Sequence, residues 1–392
     1  MEKTIKLYDT DAYQTEFTAT VLSCHPVSGE DKSSSEVLYK VILDRTLFFP
    51  EEGGQDADTG ILNEAKVIDV QIKDGIITHI TDSPFHPGLS VLGKIDWASR
   101  YSNMQQHSGE HIMSGLIHSH FGYDNVGFHL GSQAVTLDFN GFLEKEQLDM
   151  IEILANDVIY RNIETIAEYP STEVLSALNY RSKIELNEPV RIVTFPGYDV
   201  CACCAPHIKR TGEIGIIKII DSFRHRGGIR ISILCGSRAL MDYRNKQKQT
   251  DTISALLSAK PELIAQAVER LKEENFSLRG QIMDLQDTLT ELKVAQITED
   301  TKDICLFESD MEASTHRKYV NLLIEKCSGI CSIFSGDDAS GYRYIIASKT
   351  EDVRPVNEML RQQLQAKGGG SKEMVQGSVN STKNEILSRF QL

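Results

Sequence analysis

The sequence has no apolar run near the roughly 20 residues that cross a bilayer. Its best candidate, residues 214–220, is broken by Lys218, which excludes a transmembrane helix. The first residues, MEKTIKLYDTDAYQ, carry charges with no apolar stretch behind them, so secretion is not expected. Positive charge is in deficit: 41 lysines and arginines face 56 aspartates and glutamates, for a formal net charge of -15. A field of that sign repels phosphates, so any nucleic-acid partner must be held by local basic surface. There is no internal repeat, no low-complexity tract and no Asp-His-His run. The eight cysteines do not form the dense frame of a short secreted chain. They read as reduced core thiols plus one cluster, Cys201, Cys203 and Cys204, which is the usage of a cytoplasmic protein.

The 392 residues, 41% hydrophobic and 25% charged, have globular composition and the length of several domains. Residues 1–95 read as a small β-barrel. Its clearest signal is the pair of β-branched runs 66–72 and 75–80, joined through Asp74-Gly75, a tight-turn dipeptide. Residues 36–49 read as a second strand pair and residues 28–35 as a surface loop. From residue 96 the pattern changes. Residues 101–121 form a helix with Met104, His107, His111 and Gly115 on one face, residues 148–161 a second helix, and 189–195, 214–220 and 229–234 strands. Residues 96–243 are therefore expected to be an α+β domain. In 244–298, apolar residues from Val268 to Leu292 step by three and four, with Asn275 on the seam. The long helix after Pro261 pairs either with 252–258 in a hairpin or with another chain in a coiled coil. Residues 299–392 read as an α/β domain with strands at 304–307, 329–335 and 342–348, a helix at 354–366, a glycine loop at 367–376 and a last helix at 383–390. The fold class is α+β multidomain.

The chemistry sits in two short motifs. In HSGEH, His107 and His111 are four apart, so on a helix both imidazoles leave one face a turn apart. The metalloprotease pattern HExxH is absent, because Glu110 precedes the second histidine instead of following the first. In CCAPH, Cys203 and His207 have the same spacing in a loop. Three imidazoles and one thiolate make a tetrahedral set suited to zinc. Four protein donors would close such a site, as in structural zinc sites, and Cys201 and Cys204 remain alternative thiols.

HSGEH followed by CCAPH resembles the HxxxH and CxxxH zinc motifs of the alanyl-tRNA editing proteins, the AlaX family in its long form. These are related to the editing and C-terminal domains of alanyl-tRNA synthetase. FFPEEGGQ, ending at Gln55, resembles the family's GGQ motif, and Asp58-Thr59-Gly60 follows it. The stretches TGEIG at 211–215 and GIRI at 228–231 also match, and GGGSKEMVQG near the C-terminus resembles the loop of the synthetase's last domain. The resemblance implies a freestanding hydrolase without the aminoacylation domain, which deacylates seryl- or glycyl-tRNA for alanine. It implies one zinc ion per chain on His107, His111, Cys203 and His207. Gln55 is expected to act at the ester, its amide donating to the carbonyl or holding a water. Gly53, Gly54, Thr59 and Arg230 are expected to bind substrate, Thr59 by reading a hydroxyl. Between His207 and Arg244, eight basic residues face three acidic ones, so Arg224 and Arg226 are expected to hold tRNA phosphates. Gly369, Gly370 and Lys372 in the glycine loop are expected to add tRNA contacts, and the tail to make a homodimer. The rival readings are a tRNA-binding module with a purely structural zinc and, from the tail alone, a phosphoesterase.

Overall fold

The computed structural model describes residues 2–27, 37–131, 133–182, 189–298 and 301–389. The expected loop 28–35 lies outside the described residues. The described chain forms two compact units, residues 1–249 and 250–392. Among the described residues no helix is long and apolar enough to cross a membrane.

The first unit contains six barrel strands, β1 (Glu16–Pro26), β2 (Tyr39–Leu43), β3 (Gly60–Leu62), β4 (Ala65–Lys73), β5 (Ile76–Thr81) and β6 (Ser90–Ile95). They close into a barrel in the order β1-β2-β5-β4-β3-β6. Alternate residues point inward, as the period of a strand requires: Phe17, Ala19 and Val21 on β1 meet Val91 and Ile95 on β6 inside one core. The β4–β5 turn is the expected one. Asp74 and Gly75 both have positive φ, at 53° and 79°, the backbone a two-residue turn needs to follow the strands' twist.

Helix α1 (Trp97–Phe121) starts at an Asp96 cap that accepts from the Ser99 N–H and stops at Gly122 in the left-handed region. The one-faced pattern expected of it is not what forms: every residue from Asn103 to Ile117 is buried. Such all-round burial needs close neighbours on both sides, and two glycines provide it. A Cβ on Gly109 would stand 2.3 Å from the Cys235 sulfur, and one on Gly115 2.3 Å from the Tyr198 carbonyl oxygen. The neighbours are a four-stranded sheet of β7 (Asn125–Leu130), β8 (Val135–Phe139), β12 (Ile217–His225) and β13 (Gly228–Cys235), and a three-stranded sheet of β9 (Ile166–Glu168), β10 (Ile192–Phe195) and β11 (Asp199–Ala202). Helix α2 (Lys145–Arg161) covers the same core. Strands β10 and β12 begin three residues later than expected, β12 because Thr211–Ile214 makes a 3-10 turn and Gly215 turns the chain at φ 82°.

A buried ion pair ties the barrel to α1. Arg100, two turns before His107, donates to both Asp58 carboxylate oxygens and to the carbonyls of Leu47 and Ala12. Asp58 also accepts the Phe49 N–H at 2.7 Å, so loop 47–58 is pinned at both ends. Removing one partner of such a pair typically costs about 3 to 5 kcal/mol.

In the second unit, α3 (Ile264–Ala295) buries only Thr290 and Val294. The seam residues Val268, Leu271, Leu278, Ile282, Leu285, Leu289 and Leu292 are exposed, as is Asn275. A five-stranded sheet follows, β14 (Ile304–Glu308), β15 (Cys331–Asp337), β16 (Gly341–Ala347), β17 (Lys367–Gly370) and β18 (Met374–Val379), in the order β14-β15-β16-β18-β17. Two corrections to expectation fall here. The glycine segment is a hairpin and not a loop, with Gly369 opposite Gln376. Its glycines make room, since a Cβ on Gly368 would reach 2.3 Å from the Tyr344 hydroxyl. Helix α4 (Ala313–Leu323), not expected, buries Tyr319, Val320 and Leu323 on the sheet. The expected helices at 354–366 and 383–390 are Arg354–Leu364 and Lys383–Arg389, the first closed by Gln365 at φ 54°.

Candidate metal centre

Three segments far apart in sequence converge beside α1. The helix supplies His107 and His111, the loop after β11 supplies Cys203 and His207, and loop 47–58 supplies Gln55. Arg191 shapes the cysteine loop: its backbone carbonyl accepts from the Cys203 N–H, and its guanidinium donates to the carbonyls of Cys203 and Ala205. The four candidate donor atoms lie within 4.8 Å of one another. The Cys203 sulfur is 3.5 Å from His107 Nε2 and 3.8 Å from His207 Nε2.

Each imidazole is fixed from behind. His107 Nδ1 is 2.9 Å from Gln55 Oε1, His111 Nδ1 is 2.7 Å from Asp199 Oδ2, and His207 Nδ1 is 2.7 Å from the Ala205 carbonyl. All three partners are acceptors, so each ring donates its Nδ1 proton away from the centre and directs Nε2 towards the others, as the atom left to ligate a metal once it is free of a proton. That is the arrangement of metal-ligating histidines. His111 Nε2 is buried with no hydrogen-bond partner among the described residues, although a buried polar atom ordinarily finds one. The donor set therefore fits a borderline-soft ion such as zinc.

The charges are arranged to match. Burial pulls His207 down to about 4 and keeps it neutral. Burial also opposes a proton on His111, but Glu110 and Asp199 outweigh it and raise this ring to about 9. Burial pushes the Cys203 thiol up, yet the neighbouring imidazoles, His107 foremost, bring it well below the usual thiol range. Cys201 and Cys204, by contrast, are raised, chiefly by burial. Behind His111, Arg181 makes a fork to Asp199, with Nε 3.0 Å from Oδ1 and Nη2 2.8 Å from Oδ2.

The centre opens on a cleft of about 450 Å³, lined among others by Gly53, Glu110, Phe128, Arg191 and Cys204. A larger cleft of about 820 Å³ beyond Arg181 and Asp199 contains none of the four donors. Gly53 and Gly54 both take positive φ, at 64° and 82°, and the Gly54 carbonyl accepts from Leu130, which seats the loop against β7. Gln55 is buried; its Oε1 is committed to His107, and its Nε2 has no partner among the described residues. Two expected substrate residues are not brought to the cleft. Thr59 is exposed and its carbonyl accepts from Asp96, while Arg230 makes a fork to Asp138 on β8 at 2.6 and 2.7 Å. Arg224 and Arg226 are exposed at the β12–β13 turn, Arg224 over the Phe142 ring. Much of the basic excess around them is used internally, as in Lys218 with Glu152 and Arg238 with Asn103. Gly369, Gly370 and Lys372 lie in the second unit, at the β17–β18 hairpin. Sequence reasoning missed Asp199, Arg181 and Arg191 and gave Glu110 no role. The signal available was the charged pair Glu110 and Asp199, each close to a donor motif.

Residues 2–99 match the family model for class II (A) tRNA synthetases, and residues 190–232 the model for the threonyl and alanyl tRNA synthetase second additional domain. The chain is similar over nearly its whole length to alanyl-tRNA editing proteins. It is 27% identical to Aarsd1-A of Xenopus laevis over 94% of this chain and 92% of that one. It is also 27% identical to AlaX-L of Pyrococcus horikoshii, over 97% and 96%. An alanine–tRNA ligase of Ignicoccus hospitalis is 30% identical over 79% of this chain but only 35% of the ligase.

Metal binding must displace the proton that Glu110 and Asp199 hold on His111. Because the His111 pKa is raised to about 9, that proton is present at pH 7 and lost as pH rises through 9. Zinc affinity is therefore expected to climb by about tenfold per pH unit between pH 7 and 9 and then flatten. Chelator competition measures it, and a pH-independent affinity over that range contradicts the assignment.

Proposed function

We propose that this chain, similar from end to end to alanyl-tRNA editing proteins, is a zinc-dependent deacylase of mischarged tRNA for alanine, with seryl- and glycyl-tRNA as substrates. The observation that carries the reading is the set of three imidazoles fixed on Nδ1, with their Nε2 atoms and one lowered-pKa thiol converging beside a cleft. His107, His111, Cys203 and His207 hold the ion, which supplies a Lewis acid for an ester carbonyl and lowers the pKa of water. In the reaction a water oxygen bonds to the ester carbonyl carbon, the bond from that carbon to the ribose oxygen breaks, and the ribose oxygen takes up a proton. Gln55 has two tasks: Oε1 orients His107, and Nε2 is the donor left for a substrate oxygen. Phe128 gives the cleft an apolar wall, and where a bound substrate expels water against it charge interactions are strengthened.

The tRNA backbone is held by exposed basic groups, Arg224 and Arg226 in the first unit and Lys372 in the second, and the protein works in the cytoplasm. The four-part division at residues 95, 243 and 298 is kept as the functional organisation. A second copy covers the exposed seam of α3, making a homodimer, since an apolar stripe of seven large residues at heptad spacing is the surface a coiled-coil partner takes. Light scattering is expected to give a dimer that Leu278→Glu with Leu285→Glu converts to a monomer. A monomeric wild type contradicts it.

The rival reading, a tRNA-binding module with a structural zinc, is favoured by one observation: four protein donors make a closed site. Turnover decides between them. Purified protein is expected to release serine from seryl-tRNA for alanine, and His107→Ala with His111→Ala to lose that activity while keeping the native circular dichroism spectrum. Unfolding with metal loss, and no turnover by the wild type, would give the structural reading.

A further inference from the structure

The cleft of about 820 Å³ beyond Arg181 and Asp199 holds no metal donor, yet it adjoins the centre. Ser182 lines both clefts, and Asp199, in the wall of the larger one, holds His111 Nδ1 at 2.7 Å. One imidazole and one hydrogen bond separate the donor cluster from that wall. The cleft has the volume of a small-molecule site. Its charges are already spent. Arg181 forks onto Asp199, His118 is paired with Asp124 at 3.0 Å, and no other charged side chain lines it among the described residues. A phosphate or a carboxylate therefore finds no surplus cation here, and an ammonium no surplus acid. What the lining offers is two rings and an amide, Tyr180, Tyr198 and Asn179. Among the described residues neither ring has a ring or cation partner, and neither the two hydroxyls nor the amide makes a hydrogen bond. Their backbones are nonetheless fixed. The Arg181 N–H donates to the Val200 carbonyl at 2.8 Å and the Arg181 carbonyl accepts from Ala202 at 2.9 Å, which brings Tyr180 in beside β11. The Tyr198 N–H donates to the Phe195 carbonyl at 2.9 Å, and the Tyr198 carbonyl is seated against Gly115.

We infer that this cleft takes the base of the tRNA's terminal adenosine, the nucleotide that carries the ester, by stacking it on Tyr180 and Tyr198. The inference rests on the deacylase reading and deepens it. An unpaired base is planar, uncharged and edged with donors and acceptors, and proteins take such bases on aromatic faces while polar groups read the edge. Two tyrosine rings, an unengaged amide on Asn179 and no surplus charge are the matching set. The placement suits as well. Ester oxygen and base are substituents of one ribose, so a carbonyl held at the metal brings its base to an adjoining cleft and not to a remote one. The metal cleft, of about 450 Å³, is left for the aminoacyl group. A stacked base anchors the ribose and so positions the ester at the metal. The same stack forms whatever the amino acid, so this contact adds affinity without choosing between seryl and glycyl esters.

The test compares two non-hydrolysable ligands on the zinc-loaded full chain: 3′-deoxy-3′-(serylamido)adenosine and the same molecule with its adenine replaced by hydrogen. Calorimetry is expected to show the wild type binding the adenine ligand about 5- to 150-fold more tightly. In Tyr180→Ala with Tyr198→Ala that ratio is expected to fall to about threefold or less, whereas Tyr180→Phe with Tyr198→Phe, which keeps both rings, is expected to stay within about twofold of the wild type. A ratio undiminished by the alanine pair overturns the assignment, as does a ratio lost in the phenylalanine pair, because the hydroxyls and not the ring faces would then be at work. A third ligand, with 2-aminopurine in place of adenine, reads the wild type directly and so decides the matter even if the alanine pair fails to fold. Its fluorescence is expected to be quenched on binding, and binding without quenching overturns the stack. Seryl-tRNA turnover by the wild type is measured alongside. No turnover with none of the ligands bound defeats the functional reading and this one together, whereas turnover with equal binding of the adenine and adenine-free ligands defeats this one alone.

Discussion

Three hydrogen bonds to imidazole Nδ1 atoms are the constraint on which the rest of the first unit depends. An imidazole can ligate through either nitrogen, and a ring free to choose its tautomer makes a poor ligand. Here Gln55, Asp199 and the Ala205 carbonyl each accept one Nδ1 proton, so three Nε2 atoms are directed at one another at once. The three acceptors come from a barrel loop, a sheet strand and the cysteine loop itself. For their oxygens to be correct within a few tenths of an ångström, the barrel, helix α1 and the small sheet must be locked together.

The locking is done by burial and by buried charge. Helix α1 is enclosed on all sides because Gly109 and Gly115 let strand β13 and the turn before β11 reach its backbone. Gln106 makes a two-way bond with the Cys235 backbone, at 2.7 and 2.8 Å, which sets the helix's rotation on the sheet. Arg100 with Asp58 does the same for the barrel loop, and Arg191 for the cysteine loop. Each is a charged side chain spent on carbonyls and carboxylates deep in the fold, which is affordable only where every donor finds a partner. The cleft inherits its geometry from these ties.

Local chemistry was legible in the sequence and long-range chemistry was not. Asp74-Gly75 announced its turn because positive φ is a property of those two residues alone. The HxxxH and CxxxH pairs announced themselves by helical or loop spacing. Nothing local tells that Asp199 will stand behind His111, eighty-eight positions away, or that Arg181 will fork onto it. Thr59 shows the converse error: it follows the GGQ motif closely in sequence, but the chain turns outward there and leaves it exposed. The glycine segment at 367–376 was read as a loop because glycine disfavours strands, whereas here glycines are what lets an edge strand pass over Tyr344. Helix α4 escaped notice because its apolar residues are few and its burial depends on the sheet beneath it.

The central claim is that one thiolate and three imidazole Nε2 atoms form a single centre, with Cys203 and not its neighbours as the sulfur donor. X-ray absorption at the zinc edge of the loaded protein tests it most directly. The account predicts one sulfur at about 2.3 Å and three nitrogens at about 2.0 to 2.1 Å, with the sulfur shell lost in Cys203→Ser and kept in Cys201→Ser and Cys204→Ser. Two sulfurs in the first shell, or a sulfur shell that survives Cys203→Ser, would contradict it.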